Sequence, residues 1–164
     1  MQAKALGALT FCVCLLLLNG CEVETKPSPE VQKQGEKLMQ MTTPERQKAL
    51  AQMTPEEQLN VYLYGQRHEP PMNLHVLIAP NWKALLPVVK VRLAAEHDEP
   101  KIANMIALLK FISNTQCSLA ARKDLADVAE RALNRVDSSP YDRDASGDFY
   151  SMLHPVKPLP ACEL

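Results

Sequence analysis

Apolar residues fall into two regimes along this chain. From Ala5 to Leu18 they run almost without interruption behind a lone basic residue, Lys4; from about residue 30 onward they recur every three or four positions among Gln, Glu, Lys and Arg. The first stretch is too short for a bilayer-spanning helix, which needs about 20 residues. Its order of charge, apolar core and small residues reads as a secretory signal that is cut away. The second regime has the period of amphipathic helices.

That period predicts a small all-α domain of five or six short helices. A first helix is expected from about Glu30 to Met41, with few apolar positions and shallow burial. Two further starts share a signature, Thr43-Pro44-Glu45 and Thr54-Pro55-Glu56-Glu57. In each a hydroxyl precedes a proline suited to the first helical position, and Thr54 with Glu57 makes a capping box. After the second, Leu59, Tyr62 and Leu63 fall at helical spacing.

The run His68-Glu69-Pro70-Pro71-Met72-Asn73 breaks the pattern and predicts a surface connection, because a residue before proline is pushed out of the α region. Leu74 to Ile78 fits either a helical turn or a short strand. Pro87 would cost about 3 kcal/mol inside a helix, so it is expected to begin one that runs to about Glu96. The next helix, from about Pro100 to Ser113, aligns Ile102, Met105, Ile106, Leu109 and Ile112 on one stripe. A last helix from Ser118 to about Val136 turns Leu125, Val128, Ala129, Ala132 and Leu133 inward. Beyond it, Pro140, Pro155, Pro158 and Pro160 predict a non-helical tail lying on the domain.

Composition sharpens this picture in two respects. Aromatic residues make up only 5% of the chain, which favours helices over a β-sandwich or barrel. Lys and Arg number 18 against 19 Asp and Glu, so no basic excess points to nucleic acid.

The residues that close the apolar leader, Leu18-Asn19-Gly20-Cys21, resemble a bacterial lipobox. The resemblance implies cleavage before Cys21, acylation of that cysteine with fatty chains such as palmitate, and a membrane-anchored lipoprotein. Glu22 at the next position, in place of an aspartate, implies sorting to the outer membrane with the domain facing the periplasm. The organisation read from this is residues 1–20 as signal peptide, 21–29 as lipidated tether, 30–140 as helical domain and 141–164 as Pro-rich tail. Cys12 and Cys14 then leave with the signal and Cys21 carries lipid, so Cys117 and Cys162 remain. In an oxidising compartment these are read as a disulfide. The alternative is two unpaired thiols, one at a helix junction and one at the terminus.

A second resemblance concerns residues 71–112. Leu85-Leu86-Pro87-Val88-Val89 leading to Glu96-His97-Asp98-Glu99-Pro100-Lys101-Ile102 looks like a HEAT-like antiparallel helical pair, which implies a protein-binding scaffold. No second copy follows at the period of a solenoid.

Candidate chemistry is thin. Asp142, Asp144, Ser146 and Asp148 are spaced like the front half of an EF-hand loop, with Gly147 at the turn, but Leu153 stands where the bidentate glutamate belongs. A solvated acidic turn is therefore the expectation, with no metal assigned and these four residues as a weak calcium-loop candidate. His68, His75, His97 and His154 lack metal-ligand spacing. No nucleophile elbow, zinc-protease helix or phosphate loop is present, so no catalytic residue and no cofactor is assigned. Trp82 and Tyr64 are candidate partner-binding residues, Trp82 with a core-filling role as its alternative. The functional expectation is a non-enzymatic protein-binding lipoprotein. Its specific versions are an immunity lipoprotein that neutralises a periplasm-delivered toxin and a pilotin-like lipoprotein that assists assembly of a secretion or pilus system.

Overall fold

The computed structural model describes residues 26–68, 71–136 and 140–163; the leader, Cys21 and most of the tether lie outside the described residues. The fold is all-α, with helices α1 (Pro29–Met39), α2 (Thr43–Leu50), α3 (Pro55–Gly65), α4 (His75–Ile78), α5 (Trp82–Ala95), α6 (Glu99–Thr115), α7 (Lys123–Leu133) and α8 (Asp142–Leu153). A 3-10 turn, Ala79–Asn81, joins α4 to α5.

Threonine caps shape the first part of the chain. Thr54 begins α3 by accepting from the Glu57 amide at 3.2 Å, while the Glu57 carboxylate accepts from the Thr54 amide at 2.7 Å. For α2 the capping residue is Thr42, one position earlier than the Thr43 read from the sequence. Its amide and hydroxyl both donate to the Glu45 carboxylate, and Pro44 moves to the second helical position. Hydrogen bonding holds both glutamates below the usual carboxylate range.

Helix α6 is the centre of the molecule. Ile102, Met105, Ile106, Leu108, Leu109 and Ile112 are wholly buried, and the helix touches α3, α5, α7 and α8. Its most extensive partner is α8, which supplies Ala145 and Met152 to the core. The link to α5 is the expected short turn at residues 96–98. Buried Ser113 ties three segments: its hydroxyl donates to the Met152 carbonyl at 2.6 Å and accepts from the Leu119 amide at 3.1 Å. Buried Gln58 does similar work elsewhere. Its amide nitrogen donates to the Leu50 carbonyl at 2.8 Å, and its oxygen accepts from Asn81 at 3.1 Å, so α2, α3 and the 3-10 turn are joined.

Cys117 and Cys162 form a disulfide, their Cα atoms 5.0 Å apart. Beside it Ser118 donates its amide to the Pro160 carbonyl at 2.8 Å and accepts from the Cys162 amide at 3.0 Å. The chain end is thus held against the start of the α6–α7 connection.

Three sequence expectations are corrected. Residues 142–153 form a helix, not a non-helical tail, because the prolines that were expected to forbid it, Pro140 and Pro155, flank the helix and stay outside it. The helical domain therefore extends past residue 140 and includes α8. Pro87 lies inside α5, five residues after its start. Its ring is exposed, and the burial of Leu85 and Leu86 just before it offsets the cost of the missing amide. Finally, α7 begins at Lys123 rather than Ser118, since residues 117–119 serve the disulfide and the Ser113 hub. The undecided segment from Leu74 to Ile78 is helical.

Ser113→Ala leaves a buried amide and carbonyl without their partner, so urea unfolding is expected to show a loss of about 2 kcal/mol. Replacing both Cys117 and Cys162 by Ser opens a 45-residue loop. On the chain-entropy model the same measurement is expected to show a loss of about 4 kcal/mol, with helical content kept in water.

Candidate functional site

Helix α5 is apolar on both faces, which sets it apart from its neighbours. Leu85, Leu86, Val89 and Leu93 point into the core, as an amphipathic helix requires. On the outside, however, Ala84, Pro87, Val91 and Ala95 recur at intervals of three and four and are all exposed, Val91 to 72%. Lys83, Lys90 and Arg92 flank this outer stripe, which is apolar surface beyond the single buried face of an amphipathic helix. Here α3 and α7 flank α5 and the outer stripe stays uncovered.

Between α3 and α5 the surface sinks into a groove of about 480 Å³. Leu59, Pro87, Val88, Val91 and Ala95 make its apolar lining, and Glu56 and Arg92 supply charges of opposite sign. Asn60 and Arg92 also line a second hollow of about 230 Å³, so the two adjoin. The second hollow is cationic: Lys26 of the tether, Arg67 just past α3, Arg92 of α5 and Lys101 of α6 converge on it, with Pro27, Val31, Leu63 and Tyr64 as its apolar wall.

Two carboxylates stand beside those cations, and both are already engaged. Asp98 accepts from the Lys101 amide at 3.1 Å and from Arg67 at 2.6 Å, with the Lys101 ammonium at 3.3 Å. Glu96 accepts from Arg92 at 3.0 Å and from the His97 and Asp98 amides at 3.2 Å. Partial burial raises the pKa of each acid, but these hydrogen bonds and cations outweigh it and hold both below the usual carboxylate range.

Tyr64, a sequence candidate for partner binding, packs on Gly35 of α1. A Cβ at residue 35 would collide with the Tyr64 ring, so glycine is what lets α1 approach α3. The ring also forms an edge contact with His68. Trp82, the other candidate, is half-buried against the core at the start of α5, with the Lys83 ammonium 5.4 Å from its ring.

The acidic residues 142–148 do not form a loop. They occupy the first two turns of α8, where Ser146 donates to Asp142 at 3.0 Å and Asp148 pairs with Lys110 at 2.6 Å. Alternate residues on a helix do not converge on one ion, so the EF-hand-like geometry is not built. Among the described residues no cluster of three His, Cys, Asp or Glu is placed to hold a metal.

One constellation escaped sequence reasoning. Tyr62, Gln66, His75, Lys110 and Asp148 line a cleft of about 400 Å³ where α3, α4, α6 and α8 meet. Burial and the charge of Asp148 push the Tyr62 hydroxyl well above its ordinary pKa, and burial pushes the His75 imidazole below its own. These groups hold helices together: Tyr62 donates to the Asn104 carbonyl at 2.8 Å, Lys110 pairs with Asp148, and His75 stacks edge-on against Phe111. No spacing in the sequence connects positions this far apart.

Comparison with family models, with curated proteins and with solved structures found no match.

Proposed function

We propose that this protein is a lipid-anchored, non-enzymatic protein-binding module of the bacterial envelope, carried on Cys21 at the periplasmic side of the outer membrane. The observation behind the binding role is the exposed apolar stripe of α5 over the α3–α5 groove. Patches of this kind on a folded domain mark interaction sites. The fitting occupant is a helix of another protein with one apolar face. It would lay large side chains over Val88, Val91 and Ala95, and the small Ala84 and Ala95 allow its backbone a close approach. Its charges would be basic near Glu56 and acidic near Arg92. The leader and the lipobox-like residues support the anchor.

The test is photo-crosslinking in intact cells with a benzophenone amino acid placed at Val91 or, as control, at exposed Arg131 on α7. A discrete crosslinked protein at position 91, absent at 131 and lost when Val88→Glu is added, is the expected result. Its identity, as a toxin or as a secretion or pilus subunit, distinguishes an immunity role from a pilotin role. The same products from both positions, or none from position 91, would overturn the reading.

A further inference from the structure

The cationic hollow beside the groove has a different character from the groove itself. Its positive side chains come from three stretches of chain that are far apart in sequence: the tether at Lys26, the region after α3 at Arg67, and the α5–α6 hairpin at Arg92 and Lys101. Each arginine uses one nitrogen in its ion pair, Nη2 of Arg67 and Nε of Arg92. Both arginines line the hollow, and each has guanidinium nitrogens outside that ion pair. Asp98 and Glu96 do not block it, since their oxygens are turned to the amides and cations of the hairpin. Lys26, Arg67, Arg92 and Lys101 are the charged residues of its lining, so the lining is cationic although the chain as a whole is near neutral.

Position adds a second argument. Lys26, Pro27 and Ser28 form one wall, so the hollow lies at the root of the tether. Lys26 lies five positions after Cys21, a reach of at most about 18 Å. If Cys21 is acylated, as proposed above, the hollow stays within headgroup range of the membrane. Its apolar wall of Pro27, Val31, Leu63 and Tyr64 suits a ligand that carries hydrocarbon next to its charge.

We propose that this hollow binds a phosphate group, presented by an anionic lipid headgroup, and thereby fixes which face of the domain is turned to the membrane. Arginine forks give a phosphate paired, charge-assisted hydrogen bonds. Lys26 would close over the ligand from the tether side. With the headgroup held there, the adjoining α3–α5 groove lies along the membrane-proximal flank.

The test is isothermal titration of the full-length protein in dodecyl maltoside with three probes: sodium phosphate, dihexanoyl phosphatidylglycerol and dihexanoyl phosphatidylcholine. The variants are Lys26→Gln, Lys26→Gln with Arg92→Gln, and Lys157→Gln as a control on the exposed chain end. Binding of the phosphatidylglycerol, at least about tenfold weaker in the double variant and unchanged in the control, is the expected result. Binding of phosphate as tight as that of the lipid keeps the site but assigns free phosphate as its source. No heat from either anion, equal affinity in the double variant, or phosphatidylcholine bound as tightly as phosphatidylglycerol would overturn the proposal. The mass of the same sample reports whether Cys21 is acylated, so failure of the anchor and failure of the site are read separately. Lys26 lies outside every helix, so the single variant remains informative if the double one unfolds.

Discussion

Everything in this fold is arranged around the burial of α6. Six of its apolar side chains have no exposure at all, and a helix wrapped this completely needs partners on every side. Helices α3, α5, α7 and α8 meet that need. Each such side chain contributes about 1.5–3 kcal/mol by leaving water, so α6 supplies a large share of the driving force. The polar bonds around it fix the geometry instead. Ser113 sets the height of α8, Tyr62 that of α3, and the disulfide closes the end of α6 against the chain terminus.

The same demand explains why a binding surface is left over. Helix α5 turns Leu85, Leu86, Val89 and Leu93 inward, and α3 and α7 flank it. Residues 26–68, 71–136 and 140–163 provide no layer outside it, so Pro87 and Val91 face water. Proline on that outer face leaves the inward-facing leucines and valine of α5 in place. The sequence contains this information in the row Trp82–Ala95, whose apolar residues exceed what one buried face requires. Reading Pro87 as a helix start hid the excess, because it divided the row in two.

Local rules and long-range ones differed in how well they could be read. The Thr54 capping box, the α6 stripe and the Cys117–Cys162 pair each depend on neighbouring residues or on elimination, and each was legible. The first cap slipped by one residue because Thr42 and Thr43 carry the same hydroxyl, and Glu45 three positions after Thr42 decides between them. Helix α8 was missed because prolines were counted across a whole tail, although none falls between Asp142 and Leu153. The cationic hollow was illegible for a different reason. Its residues come from the tether, α3, α5 and α6, and only packing brings them together.

The functional account joins these features through the tether. A domain held at Cys21 would keep the cationic hollow near the lipid surface and the α5 stripe on the flank beside it, where a partner can reach both membrane and groove. That arrangement depends on the proposed cleavage and acylation. The most direct measurement is the intact mass of the protein extracted from the envelope of the cells that make it. The account predicts a chain that begins at Cys21, carries fatty acyl chains and retains one disulfide. A chain that still begins at Met1, or one cut elsewhere and free of lipid, would contradict it.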